Sequence, residues 1–360
     1  MTLTLVFFTA FIVLATLLPL WRNPHWSVRG FDFPRLQIAV VASLVIVFQL
    51  VFLDWSSIFS WLLIAATGLC LASQLWRVLP YTLLWRKEVK SAASGDSARV
   101  ITIMTSNVLT PNRNAGALIA LVKQHQPDVL VTLESDQWWE DQLAVLDADM
   151  PFSVKCPLDN LYGLHVFSRL PLHEAEKAYL VEDGVPSVHG LVELRSGDKV
   201  RIHFVHPAPP SPSENEESSE RDAELIIVAR SVADDDQPTI VTGDLNDVAW
   251  SPTTRLFRKI SGLLDPRVGR GMFSTFHAKY PFMRWPLDHL FHSEHFDLKG
   301  IRRLPDIGSD HFPLLTSLEY VSDRRSKPET PDADSDERGR AREIARDEGV
   351  SKQDVPEPGK

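Results

Sequence analysis

Residues 1–21, 36–53 and 55–76 contain no charged side chain, and each run is close to the ~20 residues that cross a hydrocarbon core as a helix. A buried core helix has similar composition, but three such runs separated by short polar loops predict membrane spans at residues 3–21, 36–53 and 56–76. Six of the ten tryptophans (Trp21, Trp26, Trp55, Trp61, Trp76 and Trp85) fall in this region, most near the ends of the runs, where an interfacial belt would place them. A cleaved signal peptide is the competing reading of residues 1–21. No basic segment precedes that run and no small-x-small site comes before Trp21, so it is read as a span. Arg22, Arg29 and Arg35 follow the first run, no Lys or Arg separates the second from the third, and Arg77, Arg86, Lys87 and Lys90 follow the third. Basic loops face the cytoplasm. The expectation is a multi-pass protein of the inner (cytoplasmic) membrane, partnered by the bilayer through three helices, with its N-terminus outside and the chain after the third span inside.

A different pattern begins after the small, polar segment Ser91–Ser97, which reads as a flexible joint within a linker over residues 86–99. Arg99–Asn107 is short, apolar and rich in β-branched residues, Ala115–Gln126 has helical apolar spacing, and Asp128–Leu133 is again strand-like. Further strand-like runs lie at Gly163–Ser168, Gly190–Leu194, Val200–His206, Thr239–Thr242, Leu287–His292 and Leu314–Leu318, with helical stretches at Asp222–Ala233 and Pro252–Ile260. This mixture predicts one α/β domain over residues 100–320, behind a membrane anchor over residues 1–85. Pro207–Glu220 reads as a mobile loop, and residues 321–360, polar and without apolar periodicity, as a disordered charged tail.

Charge narrows the partners. The chain of 360 residues has a net charge of −10, and residues 99–320 carry 21 basic against 32 acidic side chains. A broad basic face for long duplex nucleic acid is not expected there. Two cysteines, Cys70 and Cys156, make neither a disulfide framework nor a thiolate zinc cage, so the fold must rest on its core. No P-loop, dinucleotide fingerprint or serine elbow is present.

Polar residues recur at the ends of the predicted strands: Asn107, Glu134, His206, Asp244, Asn246, Asp288, Asp310 and His311. Singly, each has an ordinary reading as a turn, a helix cap or a surface histidine. Together they supply what phosphate-ester hydrolysis needs: oxygen ligands for a hard cation, a base for water, and donors for the developing charge.

The segments Thr105-Ser106-Asn107-Val108, Leu133-Glu134-Ser135, Val205-His206-Pro207, Gly243-Asp244-Leu245-Asn246, Pro286-Leu287-Asp288-His289 and Gly308-Ser309-Asp310-His311-Phe312-Pro313 occur in this order. The series resembles the motifs of the endonuclease/exonuclease/phosphatase superfamily, the DNase I-like enzymes, over residues 100–320. The resemblance implies a four-layer α/β sandwich, two packed sheets with helices outside. It implies Glu134 as the Mg²⁺ ligand (or Mn²⁺), with Asn107 and Asp310 as further metal-site contacts. Asp244 would orient or deprotonate the attacking water, Asn246 and Asn107 would contact the phosphate, and His311 would stabilise the phosphorane or act as acid/base with Asp288 holding its ring. His206 would be the second active-site histidine, a catalytic or phosphate contact. Leu109 stands where apurinic endonucleases carry an acid, which argues for one metal ion.

Tyr162, His165, Ser168 and Arg169 resemble a further family strand, with core packing an equal explanation of Tyr162. In the run Asp288–His295, alternation sends His289 away from Asp288, against a zinc cluster there. Trp138 and Trp139 read as the packed start of a helix in preference to a substrate wall or a membrane contact. The expected activity is a membrane-anchored Mg²⁺-dependent phosphoesterase acting on nucleic acid or on a lipid or small-molecule phosphate, diester or monoester. The alternative is a catalytically silent membrane scaffold that retains the fold. No protein partner follows from the sequence.

Overall fold

In the computed structural model, which describes residues 2–93, 95–233, 235–322 and 329–359, three long apolar helices precede a two-sheet sandwich. The helices are α1 (Thr2–Leu17), α3 (Arg35–Phe52) and α4 (Ile58–Val78), with the single turn α2 (Trp26–Arg29) between the first two. Their shared interior mixes apolar packing of Ile12, Ile38, Ala42 and Val45 with a ladder of polar contacts. Gln49 Nε2 donates to Thr9 Oγ1 at 2.8 Å and to Thr67 Oγ1 at 3.0 Å, and Gln74 Nε2 donates to Thr16 Oγ1 at 2.9 Å. Large apolar side chains cover the outside of the bundle and are exposed, among them Phe7, Val47, Ile58 and Leu62.

The first sheet has six strands in the order β10 (Phe296–Arg303), β11 (Leu314–Tyr320), β1 (Val100–Asn107), β2 (Val129–Leu133), β4 (Leu164–Ser168) and β3 (Phe152–Cys156). The second has five: β5 (Leu172–Tyr179), β6 (Pro186–Glu193), β7 (Lys199–Phe204), β8 (Thr239–Asp244) and β9 (Asp288–His292). Alternation along each strand decides where its side chains go. Ile101, Ile103, Val129 and Val131 meet Val200, Ile202, Ile240 and Leu290 between the sheets. Met104 and Leu130 turn outward onto α5 (Ala115–His125) and α6 (Gln137–Leu143), where Trp139 is fully buried. Val241 and Phe291 turn outward onto α7 (Ser219–Val232) and α8 (Pro252–Ser261). Because both faces of these central strands are covered, they read as continuous apolar runs.

Each sheet contains one parallel pair made by a strand-helix-strand crossover: β1 with β2 through α5, and β7 with β8 through α7. All four carboxyl-terminal strand ends converge at one edge of the sandwich, where Thr105 Oγ1 of one sheet lies 3.0 Å from Thr242 Oγ1 of the other.

Three regions differ from expectation. The linker over residues 86–99 is docked: Val89 is buried in the inter-sheet core, Ala92 N donates to Leu298 O, and Glu88 pairs with Arg258 at 2.5 Å while accepting from Asp265 N at 2.7 Å. Small polar composition concealed a few anchoring residues. Within the tail expected to be disordered, residues 323–328 lie outside the described residues, but α9 (Ser335–Asp347) is a helix with an Asp334/Glu337 capping box. Its apolar stripe is short, Ala341, Ile344 and Ala345, too slight to register as periodicity, yet the two alanines are buried against α7 and α8 and Ile344 packs beside them. The loop at Pro207–Glu220 is tied down by Asn215 Nδ2 donating to Glu182 Oε1 at 2.7 Å and by Ser218 N donating to Pro24 O. Strands β3, β5 and β10 went unread because β5 and β10 alternate polar residues and lie at sheet edges, and β3 is exposed on much of its length.

The docked linker predicts a cost for uncoupling it. Glu88→Ala leaves Arg258 partly buried without its carboxylate and should destabilise the protein by about 3–5 kcal/mol, with Glu88→Ala/Arg258→Met recovering much of the loss. Thermal unfolding of the full chain measures both, and a Glu88→Ala melting temperature equal to wild type would refute the docking.

Candidate active site

Four strand ends deliver the site. Asn107 closes β1 and donates through Nδ2 to Glu134 Oε1 at 2.7 Å, the residue after β2, and to Asp244 Oδ2 at 3.2 Å, the last residue of β8. One amide therefore joins both sheets. The glycine before Asp244 is required: a Cβ at Gly243 would lie 1.8 Å from Val205 O, and its φ of +154° suits glycine alone. Glu134 and Asn246 both sit in the left-handed region, at φ +57° and +50°, a strained conformation of the kind that concentrates at functional sites.

On the other side of Asp244 stands His311, packed just before β11. Its Nδ1 lies 2.8 Å from Asp288 Oδ2, and its Nε2 is 3.4 Å from Asp244 Oδ2. Burial alone would depress this histidine, but the carboxylates of Asp244 and Asp288 outweigh it and lift its pKa to about 10. As an imidazolium it donates from Nδ1 to Asp288, while Nε2 faces Asp244 as a charge contact. Burial, opposed by His311 and reinforced by Asp288, raises the Asp244 carboxyl. Burial also pushes Glu134 up to about 8, with Asp310 and Asp244 adding to the rise and the Asn107 amide and His311 opposing it. His206 is driven down to about 4 by burial, so it is a neutral imidazole at physiological pH, and its Nδ1 has no hydrogen-bond partner.

All eight residues singled out in the sequence are brought together here. Ser309 Oγ donates to Asn107 O at 2.9 Å and holds the Asp310-His311 turn to β1. The Asn246 amide donates to Pro207 O at 3.0 Å, beside His206, and its own N donates to Asp244 Oδ1. The Tyr162 ring lies 5.5 Å from His206 and its hydroxyl bonds Glu214, which places it at the site. His165, Ser168 and Arg169 instead serve packing: His165 is buried on β4 beside Thr132 of β2, Ser168 Oγ donates to Leu170 O, and Arg169 Nε donates to Pro127 O. His289 points away, with Nε2 at 2.9 Å from Asp247 O and Nδ1 at 2.6 Å from Arg267.

Two buried arginines escaped the sequence reading. Arg267 Nη1 donates to Asp288 O at 3.3 Å, and Arg221 Nη1 donates to Asn246 O at 2.9 Å. Both act from beneath the loops, and no local spacing connects either with the residue it supports.

Does this set suit a divalent cation? Among the described residues, Asp244, Asp288 and His311 bring ligand-type atoms within 4.8 Å of one another. A ligating histidine must present an unprotonated nitrogen, and both nitrogens of His311 face carboxylates, so that trio is a relay of one hydrogen bond, to Asp288, and one ion pair, to Asp244. Glu134 Oε2 is different: it is buried and has no hydrogen-bond partner, in a pocket where Asp310 and Asp244 add negative charge. An orphaned carboxylate oxygen among acids fits a hard cation.

A sequence profile of the Endonuclease/Exonuclease/phosphatase family matches residues 104–311, from β1 to His311 itself. The chain belongs to this family. Its members are divalent-metal-dependent hydrolases of phosphate esters. Solved structures share the fold. TDP2 from D. rerio, complexed with a single-strand DNA product, is 17% identical over 61% of this chain and 99% of that chain, with a TM-score of 0.50. The human Nocturnin catalytic domain with bound sulfate is 16% identical over 62% of this chain and 94% of that chain, also at 0.50. A mannosyl-6-phosphatase from Bacteroides thetaiotaomicron is 18% identical over 61% of this chain and 100% of that chain, at 0.49. Comparison with curated proteins finds no match. The family match leaves the three apolar helices outside its limits.

The opposed shifts of the two histidines can be read directly. In metal-free protein with labelled imidazole rings, NMR should show His311 still charged at pH 8 and His206 neutral, and Asp288→Asn should lower the His311 pKa by about one unit or more. Since folding raises the His311 pKa, its contribution to stability is complete below pH 6.5, its ordinary value, and is lost as pH rises toward 10. Both rings titrating together near the ordinary value would contradict this electrostatic picture.

Proposed function

We propose that the protein is a membrane-anchored, Mg²⁺-dependent phosphoesterase. The observation that carries it is the buried relay Asp288-His311-Asp244 lying beside the unpartnered oxygen of Glu134. Glu134, with Asp310 and Asn107, would hold the metal ion, which supplies positive charge for the phosphate oxygens. Asp244, its carboxyl raised by burial, accepts a proton from water. Water oxygen bonds to phosphorus as the ester P–O bond breaks in line, and the departing oxygen takes up a proton. His311, charged and held by Asp288, stabilises the negative charge that develops on phosphorus-bound oxygen. Asn246 and neutral His206 line the same cleft as contacts for the phosphate group.

The three apolar helices support the anchor: Thr2–Leu20, Arg35–Phe52 and Ile58–Tyr81 are each long and apolar enough to cross a membrane. The loop carrying Arg22 and Arg29 pairs with the catalytic domain, where Trp26 N donates to Glu216 O at 2.9 Å. Basic residues and the catalytic domain therefore share one end of the bundle, which favours a domain on the cytoplasmic side. A carboxyl-terminal reporter active only outside the cytoplasm would reverse that orientation.

Asp244→Ala and His311→Ala should each lower metal-dependent hydrolysis of aryl phosphodiester or monoester by about 10²–10⁴-fold. Mg²⁺ should raise the melting temperature of wild type, by about 2.7 kcal/mol of added stability at a hundred times its Kd, and should not do so for Glu134→Gln. Unchanged hydrolysis in both Ala variants would remove the assigned roles. Indifference of the wild type to metal and to every ester would favour a silent scaffold.

A further inference from the structure

Beside the relay, residues 276–285 leave the sandwich and return as a narrow excursion. Its root is pinned into the site. Phe276 N donates to Trp285 O at 3.1 Å, Ala278 N donates to Asp310 O at 2.7 Å, and the Phe276 ring lies 5.0 Å from His311. Its tip is apolar and bare: Phe282 is 69% exposed, with Tyr280 and Met283 also exposed. Nothing in the sandwich explains that exposure, since a loop serving only to position His311 needs no aromatic tip.

The tip is placed against the apolar helices. Gln37, in the first turn of α3, donates through Nε2 to Phe282 O at 2.7 Å. Trp285 packs edge-on against Phe33, which immediately precedes that helix by two residues, at 5.5 Å. Five residues beyond the end of α4 a second bare pair appears, Leu83 at 80% and Leu84 at 86% exposure. The next residue, Trp85, joins the same apolar cluster as Phe33, Phe276 and Trp285 and meets Trp76 of α4 at 6.1 Å. Through Trp76 and Trp85 the apolar exterior of the bundle thus meets the cluster whose Phe276 forms a wall of the active site beside His311. Cations stand at the join: Arg284 and Arg303 lie over the Phe312 ring at 5.1 and 4.3 Å, next to His311. Aromatic and apolar side chains flanked by guanidinium groups suit the boundary between acyl chains and anionic headgroups.

We propose that the tip at residues 280–283, with Leu83 and Leu84, enters the leaflet at the base of the helices, and that the site takes its phosphate ester from a lipid in that leaflet. This rests on the reading of the protein as a membrane-anchored phosphoesterase and adds the substrate class to it. The chemical step is unchanged: water bonds to phosphorus, and the ester P–O bond of a lipid headgroup breaks.

Two readouts test it on the full chain reconstituted in phosphatidylcholine vesicles. In Phe282→Cys, an environment-sensitive dye on the new thiol should emit as in an apolar medium and be quenched by spin-labelled acyl chains; the native Cys70 and Cys156 are buried. Water-like, unquenched emission overturns insertion. In vesicles that also contain phosphatidic acid or phosphatidylglycerol, wild type should cleave one of these lipids, and Phe282→Ser/Leu84→Ser should slow that cleavage about tenfold. The same variant should hydrolyse a soluble aryl phosphate at the wild-type rate. Equal loss on lipid and aryl ester, or loss on neither, overturns the proposal, as does wild-type turnover of the aryl ester with none of either lipid. Wild-type inactivity on both lipid and aryl ester would instead defeat the hydrolase reading beneath it, while the dye still reports where the loop lies.

Discussion

Too many acids meet in one place. Glu134, Asp244, Asp288 and Asp310 converge from four chain segments on the ring of His311. Like charges this close cannot all remain ionised in a buried cleft without compensation. The molecule supplies part of it with an imidazolium gripped between two carboxylates and part with the Asn107 amide bridging Glu134 and Asp244. What is left, a raised glutamate with an orphaned oxygen, is a standing demand for positive charge.

Holding such a cluster requires a stiff frame. The two parallel strand pairs aim four strand ends at one edge, and Gly243 lets β8 pass so close to β7 that any side chain there would collide with Val205 O. Beneath the loops, Arg221 and Arg267 spend their guanidinium groups on the backbone of Asn246 and Asp288 as well as on nearby acids. Buried ion pairs are weak contributors to net stability. Here they fix the direction in which a strained loop presents its side chains.

The frame extends to the helices. Trp250, four residues beyond Asn246, donates through its indole N–H to Asp32 O at 2.8 Å, and Asp32 is itself paired with Arg35 at the start of α3. Tyr81 donates to Ala249 O at 2.8 Å, and Glu88 grips Arg258 of α8. The catalytic loops and the helical bundle are thus one packed unit, which is why the bare aromatic tip at Phe282 can be held at a defined place beside α3 and not merely near it.

How much of this was legible beforehand follows from what each signal depends on. Charge-free runs, alternating or continuous apolar strands, and the ordered motifs from Asn107 to His311 are local in the chain. They determined the three apolar helices, the α/β class and the identity of the acids and histidines, because burial on one face or two writes itself into neighbouring residues. Edge strands such as β5 and β10, the short apolar stripe of α9 and the docked Glu88 left no such trace, since each buries little and depends on a distant partner. The same holds for Arg221 and Arg267, and for the loop that joins Phe282 to Gln37 across 245 positions. Which atom faces which, which histidine is charged and which glutamate oxygen is left unpaired were decided by the tertiary structure alone, because desolvation and Coulomb forces act through space between residues far apart in the chain.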